Sequence, residues 1–430
     1  MEDVRRTPRR TPRRTVVAAA AVTATMALLV TVWLGRPSGE VGDDVGGDRG
    51  GLPAEVQALA QEPSRDSGPA AVSLSQVAAG PRERTPSALH TPDAPGLPPP
   101  LVEPDQMVSG GPPPDGIPAI DEPRFQRTSD VRWVDDEEQV LVVEVAGHVR
   151  AYPVQVLTLH EVVNDTIGGI PVVVTYCPLC ASGLAFERRT ADRVLSFGTS
   201  GRLFQSNLVM YDRQTESLWP QVGGRAVAGV LTGQELRLVP AQMVAWSQWR
   251  AAHPDGWVLS RQTGHALPYG SNPYYGYDQK ETAPLFYDFP IDSRIAWLKQ
   301  PVVGIALGGD ALAVDVEALR NDGTREVTVG GRRLTVWWLP GARSSLDGFA
   351  VGDGAEVGTV SVFDPVLNGR PATFQSDGGV ITDVETGSTW DAFGAAVTGP
   401  RAGARLASVP HLTTFWFSWS ASHPGTRIER

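Results

Sequence analysis

Cysteine is almost absent from this 430-residue chain, which has two, Cys177 and Cys180. Two thiols exclude a zinc finger, which needs four ligands at fixed spacing. Positive charge is in deficit: 37 Lys and Arg stand against 48 Asp and Glu, a net charge of −11. An acidic surface argues against a nucleic-acid partner, which requires a basic stripe. The Gly-x-Ser-x-Gly pattern of a serine hydrolase does not fit the polar loop Gly198-Thr-Ser-Gly201, so that chemistry is set aside. Alternating apolar faces are missing from residues 36–117, which are rich in Gly, Pro, Ser, Asp and Glu. That composition predicts a disordered spacer.

What the N-terminus does contain is charge followed by apolarity. Residues 1–14 carry six arginines against Glu2 and Asp3 and read as a basic cytoplasmic tail. Residues 16–34 are uncharged and apolar, close to the roughly 20 residues that cross a bilayer core. The expectation is a transmembrane helix over 15–35, with the N-terminus inside and the rest exported to the cell surface. A cleaved signal peptide is the alternative. On this reading the membrane is the partner, the location is the cell membrane, and a disulfide is chemically permitted outside it.

The remainder contains an internal duplication. Two segments about 160–170 residues apart match in order. Ala151, Val154 and Leu157 recur as Ala313, Val316 and Leu319, and Gly168-Gly169 recur as Gly330-Gly331. Asp212, Thr215, Ser217 and Trp219 recur as Asp383, Thr386, Ser388 and Trp390. Trp246, Trp249 and His253-Pro254 recur as Trp416, Trp419 and His423-Pro424. The expected architecture is α+β and strand-rich, with tandem pseudo-symmetric repeats at 118–284 and 285–430. Double glycines mark hairpin turns, and the stretch from Pro240 to Ala252 reads as the clearest helix.

Features held by both copies are scaffold first, whereas features held by one are free to be functional. Cys177 and Cys180 face Leu339 and Ala342 in the second copy, and His160 and Glu161 face Asp322 and Gly323. Asn164 and Asp165 face Glu326 and Val327, and Arg213 faces Val384. The first copy therefore carries the site and the second reads as degenerate. Cys177-Pro-Leu-Cys180 follows a β-branched run and suggests thiols at a turn or helix start, where a thiolate is stabilised. The catalytic candidates are Cys177, Cys180, His160, Glu161, Asn164, Asp165 and Arg213. Cys177 is expected as the reactive thiolate, Cys180 as its resolving partner and His160 as base, oriented by Glu161 or Asp165. Cys177, Cys180 and His160 also form a candidate metal set; with the thioether of Met210 they would suit copper or another thiophilic ion. Ser200, Ser206 and Asn207 lie in a polar loop, and Tyr274 and Tyr275 in a tyrosine-rich connector; all five are substrate-binding candidates.

Taken together, His160-Glu-Val-Val-Asn-Asp165, Val174-Thr-Tyr-Cys-Pro-Leu-Cys180, Phe197-Gly-Thr-Ser-Gly201 and Leu208-Val-Met-Tyr-Asp-Arg-Gln-Thr215 resemble a microbial family. It is known as domain of unknown function 3179. The resemblance covers most of 115–430 and implies no particular activity. Locally, Cys-Pro-Leu-Cys is similar to the strand–Cys-Pro-x-Cys–helix of glutaredoxins, without the surrounding thioredoxin pattern. The functional expectation is a membrane-anchored, extracytoplasmic, cysteine-dependent redox or metal-using enzyme. The alternatives are a non-catalytic protein binding metal, haem or a small ligand there, and a structural surface protein with an inert disulfide.

Overall fold

The strands form two series with the same plan. The computed structural model describes residues 79–430 except Ala191, Asp288 and Ile291, all within one compact unit, Ser67–Arg430. The first series opens with β1 (Met107–Ser109), β2 (Phe125–Arg127), β3 (Gln139–Val145), β4 (His148–Pro153), α1 (Val154–His160), β5 (Val162–Ile167) and β6 (Ile170–Cys177). It continues through β7 (Ser182–Glu187), β8 (Phe197–Phe204), β9 (Asn207–Asp212), β10 (Leu218–Pro220), β11 (Arg237–Val239), β12 (Ala241–Ala245), α2 (Trp246–Ala252) and β13 (Trp257–Leu259). The second opens with β14 (Pro301–Leu307), β15 (Asp310–Asp315), α3 (Val316–Asp322), β16 (Thr324–Val329), β17 (Arg332–Leu339) and β18 (Thr359–Asp364). After the hairpin β19 (Val366–Leu367) and β20 (Arg370–Pro371) come β21 (Phe374–Asp377), β22 (Val380–Asp383), β23 (Thr389–Trp390), β24 (Ala407–Ser408), β25 (Leu412–Phe415), α4 (Trp416–Ser422) and β26 (Arg427–Glu429).

Sheet orders repeat as well. The first series forms β12-β3-β4-β13-β2, β11-β7-β6-β5 and β1-β8-β9-β10. The second forms β25-β14-β15-β26, β16-β17-β18-β24 and β21-β22-β23. In each series the strand after the last helix runs parallel to the second strand, β13 along β4 and β26 along β15. The turns follow from the double glycines: Gly168 and Gly169 have φ 56° and 79°, and Gly330 and Gly331 have φ 55° and 74°. Positive φ at both central residues is the two-residue hairpin geometry that matches strand twist.

Alternation along β3 shows how the halves lock together. Leu141, Val143 and Val145 pack with Tyr152, Val163, Val174 and Tyr176 of their own series. Val140 and Val142 point the other way, into a cluster with Trp337, Phe363 and Trp390 of the second series. Each such buried side chain contributes about 1.5–3 kcal/mol, so the halves share a core. Polar ties cross it too: Gln242 donates to Ser361 Oγ (2.6 Å) and Ala392 O (2.9 Å).

Several expectations need correction. The membrane span over 15–35 and the basic tail lie outside the described residues. Among the described residues no helix is long and apolar enough to cross a membrane. The single-pass anchor, the membrane partner and the cell-membrane location are withdrawn accordingly. The spacer reading fails for 79–117: β1 pairs with β8, and Ala88, Leu89 and Met107 pack on Val209, Tyr211, Leu218 and Ala228. That segment has no apolar face of its own and is held by one that the first series supplies. The helix expected from Pro240 is shorter, because Ala241–Ala245 pairs antiparallel with β3 before the helix begins at Trp246. Gly198 to Gly201 is no loop, but part of β8 with a register shift between Thr199 and Arg202.

Candidate functional site

The two cysteines occupy the connection between β6 and β7. Pro178 begins a single 3-10 turn, Pro178–Cys180, and Ala181 adopts a left-handed conformation at φ 51° that turns the chain back. The register then pairs Cys177 with Ser182. No helix follows, so the expected stabilisation of a thiolate by a helix terminus is absent, and other groups must supply it. Both thiols are free and at most 1% exposed.

Those groups form a buried polar network beneath the turn. Gln221 accepts from Ser182 Oγ (3.0 Å) and Asn207 Nδ2 (2.9 Å) and donates to Thr175 Oγ1 (3.0 Å) and Ser182 O (3.1 Å). Val222 N donates to Asn207 Oδ1 (2.9 Å), which fixes the amide so that its Nδ2 also donates to Cys180 Sγ (3.3 Å). The second series closes the site from above. Thr414 Oγ1 donates to Cys180 O (2.8 Å), and Ser345 Oγ bonds the Tyr176 hydroxyl (2.9 Å). Ser418 faces Cys180 and favours its charged form, although its buried hydroxyl completes no hydrogen bond of its own. A cavity of about 230 Å³, lined by Ala181, Asp278, Ser345, Thr414 and Phe415 among others, ends beside the turn.

Electrostatics separate the two sulfurs. Burial pushes the Cys180 pKa up, but the hydrogen bond from Cys177, the facing Ser418 hydroxyl and the hydrogen bond from Asn207 outweigh it and hold the thiol below its ordinary value. Burial, followed by the hydrogen bond to Cys180 and that sulfur's charge, pushes Cys177 well above the ordinary value. Of the two sulfurs Cys180 is therefore the more readily ionised, the reverse of the assignment read from the sequence. Glu161 lies beside them: its carbonyl accepts from Tyr176 N (2.9 Å), and its carboxyl is pushed well up by burial and by Cys177. Tyr274 is buried, and its hydroxyl is likewise pushed up, first by burial and then by the charges of Glu161 and Cys177.

The other expected residues serve elsewhere. His160 engages both ring nitrogens, Nδ1 with Pro118 O (2.6 Å) and Nε2 with the Tyr269 hydroxyl (2.8 Å), so it has none free for a thiol. Among the described residues no group of three or more His, Cys, Asp or Glu is placed to hold a metal ion. The copper or thiophilic-metal reading of Cys177, Cys180 and His160 is withdrawn, and Met210 is a buried strand residue opposite Trp219. Asp165 takes Arg150 (2.8 Å) and the Tyr152 hydroxyl (2.5 Å), a buried structural pair. Asn164 ties β5 to Phe197 of β8 through both its amide atoms and also reaches Asp121. Arg213 pairs with Asp115 and Asp121. Ser200 bonds Val209 O in the β8 bulge, Ser206 bonds Leu285 O, and Tyr275 is 55% exposed and stacked on Phe349. Asn207 Nδ2 and Ser206 O do reach Cys180 Sγ, at 3.3 and 3.5 Å. Gln221, Thr414, Ser345 and Ser418 were missed; the last three come from the distant second series, beyond any local pattern.

His160 yields a pH prediction. Burial lowers its pKa to about 4, against about 6.5 when unfolded. The unfolded state then binds more protons between those values, so this contribution is complete above about pH 6.5 and lost as pH falls toward 4, up to about 3 kcal/mol. His160→Gln should therefore flatten the acid sensitivity of the urea midpoint between pH 7.5 and 5. Equal acid shifts in variant and parent would refute the assignment.

A strand-rich α+β scaffold with a buried dithiol held between its halves is the class that fold and site define. The chain matches the family described as protein of unknown function (DUF3179) over residues 114–426, and it belongs to that family. No curated protein and no solved structure matches it.

Proposed function

We propose that this protein is a dithiol–disulfide redox protein centred on Cys180 and Cys177. The observation that carries the reading is the Asn207 amide aimed at Cys180 Sγ by Gln221 and Val222, a device for holding one thiolate in a buried place. Cys180 attacks a two-electron acceptor, and Cys177 then attacks the Cys180 sulfur. The pair becomes a disulfide, the acceptor is reduced by two electrons, and an external thiol restores the dithiol. Asn207, Gln221 and Ser418 position and charge the nucleophile; none of them exchanges electrons. A bridge over two intervening residues closes a loop too short to contribute much stability, which favours a working disulfide over a structural one.

We also infer that 118–284 and 285–430 are copies of one unit, the second having lost the centre. Thr175 and Gln221 correspond to Trp337 and Ala392, and Trp337 packs on Phe363 at 4.7 Å and Phe374 at 4.9 Å. An aromatic core occupies in one half the place of the polar network in the other.

The test is thiol counting by mass spectrometry on the full chain. Diamide, a small two-electron oxidant, should convert both thiols to a Cys177–Cys180 disulfide that dithiothreitol reopens. Two thiols surviving diamide, or a bridge that dithiothreitol cannot reduce, would overturn the proposal.

A further inference from the structure

We infer that the electron acceptor of this centre is a small hydroperoxide, with Glu161 as proton donor to the departing oxygen; this rests on the dithiol reading above. Size is the first argument. Both sulfurs are at most 1% exposed, and the nearby cavity of about 230 Å³ is lined by Ala181 and by neither sulfur. A disulfide on a folded protein cannot bring its sulfur to Cys180, and glutathione disulfide is too large to enter whole. A peroxide of a few heavy atoms fits.

The second argument is the unspent donor. Ser418 is 4% exposed, and its hydroxyl completes no hydrogen bond although it faces Cys180. Buried hydroxyls without a partner are costly and uncommon. The Ser418 hydroxyl offers a bound oxygen atom one donor beside the nucleophilic sulfur, since both Asn207 Nδ2 hydrogens are already engaged.

The third argument is the acid. Glu161 has a left-handed backbone, φ 58°, a conformation that disfavours side chains. The matching position in the other half is Gly323 at φ 72°, with the same two backbone bonds: Gly323 N to Leu319 O and Trp338 N to Gly323 O. Glycine satisfies the turn at no steric cost, so the first half bears the strain for the carboxyl. The residue is 7% exposed, its carboxyl makes no hydrogen bond among the described residues, and its charge acts on both Cys177 and Cys180. A leaving thiolate needs little help, because its conjugate acid has a pKa of about 8.5. A leaving hydroxide or alkoxide needs a proton in the same event, because water and alcohols are far weaker acids than a thiol. A buried neutral acid is the group that such a step requires.

The reaction balances. The Cys180 thiolate attacks the terminal oxygen of ROOH and the O–O bond breaks. The departing RO⁻ takes the Glu161 proton, leaving Cys180 as sulfenic acid, ROH and the Glu161 carboxylate. Cys177 then attacks the Cys180 sulfur and the S–O bond breaks. The Cys177 proton passes through Glu161 to the leaving hydroxide, which departs as water. Two thiols have lost two electrons, the peroxide has gained them, and a small thiol reductant resets the pair.

The full chain, reduced and freed of reductant, is treated in parallel with hydrogen peroxide, glutathione disulfide and diamide while thiols are counted over time. Hydrogen peroxide should close the Cys177–Cys180 disulfide at least about 10²-fold faster in the parent than in Glu161→Gln, the scale of a lost general acid. Ser418→Ala should be slowed less, and glutathione disulfide should leave the thiols intact. Closure by diamide and glutathione disulfide but not by peroxide sinks this inference and leaves the dithiol reading standing. Failure with all three sinks both. An unchanged peroxide rate in folded Glu161→Gln removes Glu161 from the mechanism. If that variant does not fold, the comparison of oxidants on the parent and on Ser418→Ala still decides.

Discussion

Cys180→Ser is expected to remove the protein's reactive thiol outright, whereas Cys177→Ser should keep it. In the first variant the remaining sulfur is Cys177, which burial holds protonated. A thiol held protonated reacts slowly, and alkylation by iodoacetamide should fall by about an order of magnitude or more. In Cys177→Ser the new hydroxyl can still donate to Cys180, and Asn207 continues to do so at 3.3 Å. Its alkylation rate should therefore stay within a few-fold of the parent, and an oxidant should stop at the sulfenic acid because no resolving thiol remains. Cys177→Ala lacks the donor and should lie between the two. If Cys177→Ser were the inert variant, the roles assigned to the sulfurs would be reversed.

Asp212→Ala is expected to cost roughly 3–5 kcal/mol, the scale of breaking a buried charged group from its partners. The carboxylate is fully buried and accepts from Thr215 N (2.7 Å), Thr215 Oγ1 (2.8 Å), Ser217 N (3.2 Å) and Trp219 Nε1 (3.0 Å). Alanine would leave those donors without a partner. Asp383 repeats the arrangement with Thr386 N (2.8 Å), Thr386 Oγ1 (2.7 Å) and Trp390 Nε1 (3.1 Å). Asp383→Ala should destabilise comparably, while its folded fraction keeps full Cys180 reactivity. Urea midpoints measure the first point and alkylation rates the second. A loss below about 1 kcal/mol in either variant would mean that the cluster is not the structural clasp described, since even one unsatisfied buried donor costs more.

That clasp was legible in the sequence because its residues recur in order and sit within eight positions of one another. The place of the proposed site was read from the sequence for the complementary reason: the cysteines and Glu161 occur in one half only. Which sulfur ionises more readily was not legible, because Asn207 and Ser418 come to face Cys180 only through tertiary packing. His160 was misassigned because closeness in sequence to a hairpin says nothing of direction; its ring turns toward Pro118 and Tyr269. The strand at Ala241–Ala245 was hidden by a helix-like pattern that pairing with β3 overrides. Residues 79–117 read as spacer because composition reports the apolar face a segment owns, not the one it can borrow.

The most direct test of the central claim is the thiolate absorbance at 240 nm of the reduced full chain, titrated from pH 5 to 10 beside Cys177→Ser and Cys180→Ser. One thiolate should appear below the ordinary cysteine range, persist in Cys177→Ser at somewhat higher pH, and vanish in Cys180→Ser. A titration in which neither sulfur ionises below the ordinary cysteine value, or in which the low-pH thiolate survives Cys180→Ser, would contradict the account.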